Sequence, residues 1–380
     1  MTADAAALRV RPLVAAVGFA VAAMLAGGSA GAADRTCAAL ETFPNPKLLA
    51  AMRRGVNLPG WDSEGEGRRP TAAQLQALRD RGFTHIRLLL DDSSLSGPQR
   101  DAYLEKMFEQ IILLFSLDYA VSLDLHAGGI FQREPGTAEA RLGDLWQAIA
   151  KRVRFLDPEK LAVELLNEPQ TDSANWWPVA GRLAAAVRRI LPDHTIVVGP
   201  AGPQRHETLA GLEPLRDRNI VYAVHYYDPF AFTHQGADWG GADDPIRYLR
   251  GLPFPASASD PGMKATIAEL KAAGHDEAAN ILERSLGAPW TEGAMTPAFE
   301  TMADWSAAHA QPVIVNEFGV LSYHAPRQAR IDWLAAVRRR AEQLCIGWTH
   351  WDFQDGFGLI DPETGMPDPK VMDALIPRTK

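Results

Sequence analysis

Glu168 and Glu317 are the residues of this sequence best suited by type and setting to covalent chemistry. Each follows a short apolar run and an asparagine, in Leu165-Leu166-Asn167-Glu168-Pro169 and Val315-Asn316-Glu317-Phe318-Gly319. Paired carboxyl groups can cleave an acetal such as a glycosidic bond. One protonates the departing oxygen, and the other attacks the anomeric carbon or activates water against it. The two must then differ, because the acid has to hold a proton near neutral pH while its partner stays ionised. Arg87 and the Tyr227 hydroxyl are available to stabilise charge on Glu317. Glu168 is expected to stay protonated through nearness to a second carboxylate and partly apolar surroundings.

Other polar residues end similar runs: Arg87, Asp124-Leu125-His126, His225-Tyr226-Tyr227 and Trp351. Period-two alternation puts Val313, Val315 and Glu317 on one strand face, as it does Ala223, His225 and Tyr227, and Asp124 and His126. Glu164 lies on the face of Glu168 but one layer deeper, so it is expected to pair with Arg87 or a hydroxyl and to take no part in catalysis. His126, His225, Glu168 and Glu317 could instead converge on a cation. No His-x-x-x-His or clustered ligand spacing supports that reading, and no metal or other cofactor is expected.

The elements that must position these residues alternate. Strand patterns cover 55–59, 85–90, 120–126, 161–167, 195–199, 220–227, 312–318 and 346–353. Helical patterns between them cover 71–81, 100–117, 137–155, 174–191, 204–212, 297–308 and 326–344, with a last one at 370–375. Eight strands with helical crossovers predict an α/β fold, a closed (β/α)8 TIM barrel, whose chemistry gathers at the C-terminal ends of the strands. The stretch 228–295 is too long for a plain connection and carries its own helical pattern at 264–286, so it reads as an insertion after strand six. A doubly wound open sheet is the alternative, but the turn Pro59-Gly60-Trp61-Asp62 lacks a glycine-rich phosphate fingerprint.

The chain has 380 residues, 47% hydrophobic and 22% charged, which excludes a mainly disordered or fibrous protein. A net charge of −9 without a long basic run argues against nucleic acid as a partner. Residues 1–32 read as a cleaved secretory signal: Arg9 and Arg11, an apolar stretch from Leu13 to Ala26, then Ala30-Gly31-Ala32. The remaining 33–380 are expected to form a single catalytic domain, exported to the periplasm or beyond, without a stable membrane anchor after cleavage and monomeric. The two cysteines, Cys37 and Cys345, then lie in an oxidising compartment, where a bridge is favoured over two unpaired thiols.

The ordered motifs resemble glycoside hydrolase family 5, the cellulase family. They are RGVNLPGW at 54–61, Ile86-Arg87, DLH at 124–126, LNEP at 166–169, HYY at 225–227, VNEFG at 315–319 and WTHWDF at 348–353. The resemblance implies a retaining double displacement, with Glu168 as acid/base, Glu317 as nucleophile and carboxyl groups about 5–5.5 Å apart. It further implies that Asn167 bonds the sugar 2-hydroxyl, that Arg87 and Tyr227 position Glu317, and that His126 and His225 hold substrate hydroxyls or the acid/base. Trp351 would floor the subsite beside the scissile bond. Among the aromatics of the other loops, Trp61 and Trp176 are the preferred extra sugar platforms, ahead of Phe131, Trp177 and Trp239. A β-1,4-glucan is the default substrate, with β-mannanase or β-1,3-glucanase activity, or a non-hydrolytic polysaccharide-binding factor, as alternatives.

Overall fold

The computed structural model describes residues 37, 41–63 and 69–378, so the expected signal segment lies outside the described residues. Eight parallel strands close a barrel in sequence order: β1 (Arg54–Leu58), β2 (His85–Asp91), β3 (Ala120–His126), β4 (Leu161–Glu164), β5 (Thr195–Val198), β6 (Ile220–His225), β7 (Val313–Glu317) and β8 (Gly347–His350). The last ladder joins β8 to β1, pairing Arg54 with Trp348 and Val56 with His350. The expected strands are all present. Several are shorter at their C-terminal ends, because the residues that carry the chemistry leave the ladder. Among the described residues, no helix is long and apolar enough to cross a membrane.

Alternation along the strands sorts side chains into two layers. Val56, Ile86, Leu88, Val121, Leu123, Val163, Ile196, Tyr222 and Val224 join helix residues such as Leu75, Met107, Ile149 and Phe299 in the layer between sheet and helices. The opposite face fills the barrel. Its lower part is apolar and small (Ala120, Ala162, Val197, Val221, Ala223, Ile314) and packs on Leu48, Leu49 and Met52 of the N-terminal segment. Its upper part is polar and fully buried: Asn57, Arg87, Asp124, Glu164, His225 and Asn316. The core thus grades from a greasy floor to a charged mouth. Burying charge at the mouth costs free energy unless every group is paired.

The helix Pro46–Ala51 closes the floor, its cap residue Asn45 donating to Pro158 O at 2.6 Å and Thr195 Oγ1 at 3.3 Å. Cys37 is joined to Cys345 in a disulfide with a Cα–Cα distance of 5.4 Å, tying this segment to the approach to β8 across 308 residues. Long closed loops are those in which a bridge most restricts the unfolded chain. Replacing both cysteines by serine should remove about 2–4 kcal/mol and lower Tm by roughly 5 °C. Calorimetry checks this, and an unchanged Tm would show that the bridge contributes no stability.

The insertion folds as short helices, Phe230–Thr233, Pro261–Ala272 and Asp276–Ser285, with 3-10 turns at Pro245–Tyr248 and Gly293–Met295. The single helical pattern expected at 264–286 is broken in two. Gly274, at φ +78°, adopts a left-handed backbone that glycine reaches without penalty. The insertion is tied to the loop after β7, where Leu321 N–H donates to Thr233 O at 2.8 Å and Gly251 N–H to His324 O at 3.1 Å.

Candidate active site

Arg87, on β2, organises the mouth. Its guanidinium is fully buried and faces three carboxylates. Nε and Nη2 donate to the two oxygens of Glu164 at 2.7 and 2.9 Å, Nη1 to Glu317 Oε1 at 2.7 Å, and Nη2 lies 3.1 Å from Asp124 Oδ2. Nη1 also donates to Asn57 Oδ1 at 2.9 Å, and Nη2 to Asn167 Oδ1 at 2.8 Å. Burial opposes the charge, but Asp124, Glu164 and Glu317 together hold the guanidinium well above its ordinary pKa. Glu164 is pushed up by burial despite Arg87, and also accepts from Asn316 Nδ2 at 2.8 Å. It is the deeper Arg87 partner that its position suggested.

Glu317 arrives by a route that simple alternation misses. Val313 and Val315 pack outward against the helices, whereas Asn316 reaches inward to Glu164. The β6–β7 ladder pairs Val224 with Val315 and then His225 with Glu317, so Asn316 is an extra residue on β7. This bulge re-aims the chain. The expected shared face of Val313, Val315 and Glu317 is therefore wrong, yet Glu317 still turns to the mouth, accepting from Arg87 and from the Tyr227 hydroxyl at 3.0 Å.

Glu168 lies beyond the end of β4 with φ +40°, a left-handed backbone uncommon for a residue bearing a side chain. Its Oε1 is 2.8 Å from His225 Nδ1, and the same nitrogen is 3.4 Å from Glu317 Oε2. One ligand atom from each of Glu168, His225 and Glu317 lies within 4.8 Å of the others. Carboxyl groups with oxygens this near suit direct attack on an atom held between them.

Glu168 departs from the expectation that its surroundings keep it protonated. Burial pushes its carboxyl up, but the hydrogen bond and charge of His225, with His126 and Arg87 beyond, outweigh it and hold Glu168 below the ordinary carboxylate value. Burial pushes the His225 imidazole down, but Glu317 and Glu168 outweigh that and raise it above 6.5. These directions favour the charged imidazole of His225 and the ionised carboxylate of Glu168 beside it. The cationic neighbours, absent from the reasoning about Glu168 alone, decide the sign.

His126 Nδ1 is 3.0 Å from Asp124 Oδ2, and its Nε2 accepts from Asn167 Nδ2 at 3.4 Å. Burial disfavours its charge, yet Asp124 raises its pKa overall. Trp351 is half-buried, with its ring nearly parallel to His126 at 6.0 Å. Trp61 and Trp176 do not reach the mouth. Both are fully buried, Trp61 donating to Leu89 O at 2.6 Å beside Tyr103, and Trp176 to Gly199 O at 2.9 Å with Phe131 edge-on. With ring faces packed in the core and indole N–H groups satisfied by backbone, neither can stack on a ligand.

Like Phe230, Trp239 is an exposed aromatic of the insertion, 62% accessible. Its ring lies 6.0 Å from His234 and 6.3 Å from Phe357, which lie 4.9 and 6.1 Å from Tyr227. Asn57 and Asn316 were missed as contributors, although their inward parity on β1 and beside the bulge was a usable signal. Glu168, His225 and Glu317 also form a group that could hold a cation. However, both oxygens of Glu317 already accept hydrogen bonds, one from a guanidinium that would repel a metal ion. A groove of about 1100 Å³ lined by Trp177, Arg182, Leu215 and Arg216 lies on the outer helical ring; it takes Trp177 away from the mouth, and neither Glu168 nor Glu317 lines it.

Residues 49–356 match the family model described as cellulase, glycosyl hydrolase family 5. Endoglucanase 3 of Fibrobacter succinogenes is 28% identical over 357 residues, covering 84% of this chain and 52% of that protein. The chain thus spans about half the length of that relative. Endoglucanase C of Acetivibrio thermocellus is 24% identical over 80% of this chain and 92% of its own. Two solved structures share the fold. Cellulose synthase subunit Z of Clostridioides difficile superposes with a TM-score of 0.68 at 24% identity, covering 85% of this chain and 99% of its own. A mutant form of Thermotoga maritima Cel5A in complex with cellobiose gives 0.69 at 24%, covering 87% and 98%. With the family model spanning most of a closed eight-stranded barrel, the chain belongs to glycosyl hydrolase family 5.

Proposed function

We propose that the protein is an exported, retaining endo-β-1,4-glucanase in which Glu317 is the nucleophile and Glu168 the general acid/base. The observation that carries this reading is the approach of Glu168 and Glu317 within 4.8 Å, with Arg87 and Tyr227 bonded to the Glu317 oxygens. Glu317 attacks the anomeric carbon while the glycosidic C–O bond breaks, and the proton held between His225 and Glu168 passes through Glu168 to the leaving oxygen. Glu168 then takes a proton from water as that water displaces Glu317, restoring both carboxyl groups. Arg87 fixes the Asn167 carbonyl, turning the amide NH2 toward His126 and a sugar 2-hydroxyl. Trp351 offers a ring face beside them for the apolar side of a sugar.

The β-1,4-glucan preference rests on relatives named endoglucanases. Export rests on the N-terminal pattern of residues 1–32 and is supported by the Cys37–Cys345 bridge, which persists in oxidising compartments. Single-domain, monomeric organisation is part of the same reading. The test is reducing-end release from purified β-1,4-glucan, β-mannan and β-1,3-glucan, with product lengths. Shortened β-1,4-glucan products support the proposal, and binding without any product overturns it in favour of a binding factor.

Two further outcomes are expected. Because His225 is raised above 6.5, the proton needed for the first step is retained below that value and lost as pH climbs through the pair's own titration. The alkaline limb of kcat/KM should therefore have its midpoint above 6.5. A midpoint in the ordinary carboxylate range would show that His225 does not hold the proton. Trp239→Ala should raise KM for long oligosaccharides about 10-fold, as loss of one stacking contact would. It should leave the shortest cleavable substrate unchanged. Equal effects on both would place Trp239 outside the cleft.

A further inference from the structure

We infer that Gln204 is a positioning residue for the reaction proposed above, fixing the backbone of Glu168 and of its partner His225 from the loop that follows the strand between them. β5 is the neighbour of both β4, which leads to Glu168, and β6, which ends in His225. The β4–β5 pairing runs out where Glu164 faces Val197 and Leu165 N–H donates to Val197 O. Beyond that point Glu168 N–H has no strand carbonyl to meet. Gln204, wholly buried on the loop after β5, supplies one from its side chain, Oε1 accepting Glu168 N–H at 2.6 Å. Its own backbone carbonyl accepts His225 N–H at 2.9 Å, and its Nε2 is turned to Ala223 O at 3.5 Å. One residue thereby holds both ends of the Glu168–His225 contact.

The surroundings are shaped for this. Gln204 is at φ +48° and Glu168 at φ +40°, two non-glycine residues in left-handed backbone that their environment must stabilise. Gly199 leaves the space that the Gln204 amide fills, since a Cβ there would collide with Nε2. Gly128 does the same for the Glu168 carbonyl, and Gly202 N–H ties the Gln204 loop to Pro169 O at 2.8 Å. A side chain locked in place beneath an acid of unusual backbone geometry sets where its carboxyl points. Reactions with an aligned proton donor lose about 10²-fold from a displacement of 1 Å.

The test is Gln204→Met, which keeps the length and removes the acceptor, with Gln204→Asn as a second withdrawal of the acceptor if the first folds poorly, and Gln204→Glu to restore it. Either withdrawal should lower kcat/KM on glucan about 10–100-fold while changing an aryl glucoside with an acidic phenol leaving group less than about 3-fold. KM should hold, and Gln204→Glu should recover most of the loss. Equal losses on both substrates, or an unaltered ratio, overturn the inference and leave a structural role. Carboxyl carbon NMR titration of Glu168 needs no turnover. If the parent proves inactive on all glycans, the functional proposal fails, and the midpoint of Glu168 in Gln204→Met still decides: a shift supports the positioning role and an unmoved midpoint overturns it.

Discussion

The Glu317→Gln protein should release sugar from its glucan on the order of 10⁵-fold more slowly than the parent, about 7 kcal/mol of lost transition-state stabilisation, while folding at least as stably. An amide cannot form the glycosyl ester, so the loss falls on kcat. Stability should hold because Arg87 keeps its two bonds to Glu164 and its contact with Asp124 when the Glu317 charge is removed. Taking one of three negative charges from around a single guanidinium leaves that cation paired and relieves repulsion among the carboxylates. Turnover within 10-fold of the parent, on an assay free of contaminating enzyme, would remove Glu317 from the nucleophile's role. A Tm several degrees lower would show that Arg87 depends on Glu317 and not on the deeper carboxylates.

Glu168→Ala should discriminate between substrates. Glucan, whose departing sugar alkoxide needs a proton, should slow by about 10³-fold, whereas bond breaking in an aryl glycoside with an acidic phenol should be nearly unaffected. The second step then becomes limiting on the aryl substrate, because no base activates water. Azide, a small anion that needs no base, should restore turnover and appear in the product as a glycosyl azide of unchanged anomeric configuration. Equal losses on both substrates would contradict the role of Glu168, and an inverted product would exclude the covalent route.

The barrel was legible because apolar runs and amphipathic segments alternate along the chain, and because six of the eight strands, all but β1 and β5, terminate in a polar group. Fine geometry was less accessible. Alternation placed Glu317 on the face of Val313 and Val315, and only the extra residue at Asn316 reconciles its inward position with their outward packing. Trp61 and Trp176 follow strands, as a sugar platform would, yet each found a backbone carbonyl for its N–H within the core and was buried. Trp239 was passed over because the insertion carries no motif that says which of its aromatics stays exposed. The proton on Glu168 was misplaced because its charge depends on His225 and His126, whose distances no linear pattern encodes. Asn57, Asn316 and Gln204 lack the reactivity that draws notice, although inward parity pointed to the first two.

The bond between Cys37 and Cys345 makes the barrel covalently circular over nearly its whole length. A protease that cuts any loop enclosed by that ring, including the exposed stretch around Trp239, opens the ring into a line and releases no fragment. Every strand from β1 to β7 stays attached through one end or the other, so a single nick leaves all the pieces of the mouth in one molecule. Such a chain tolerates a single cut that would divide an untethered barrel.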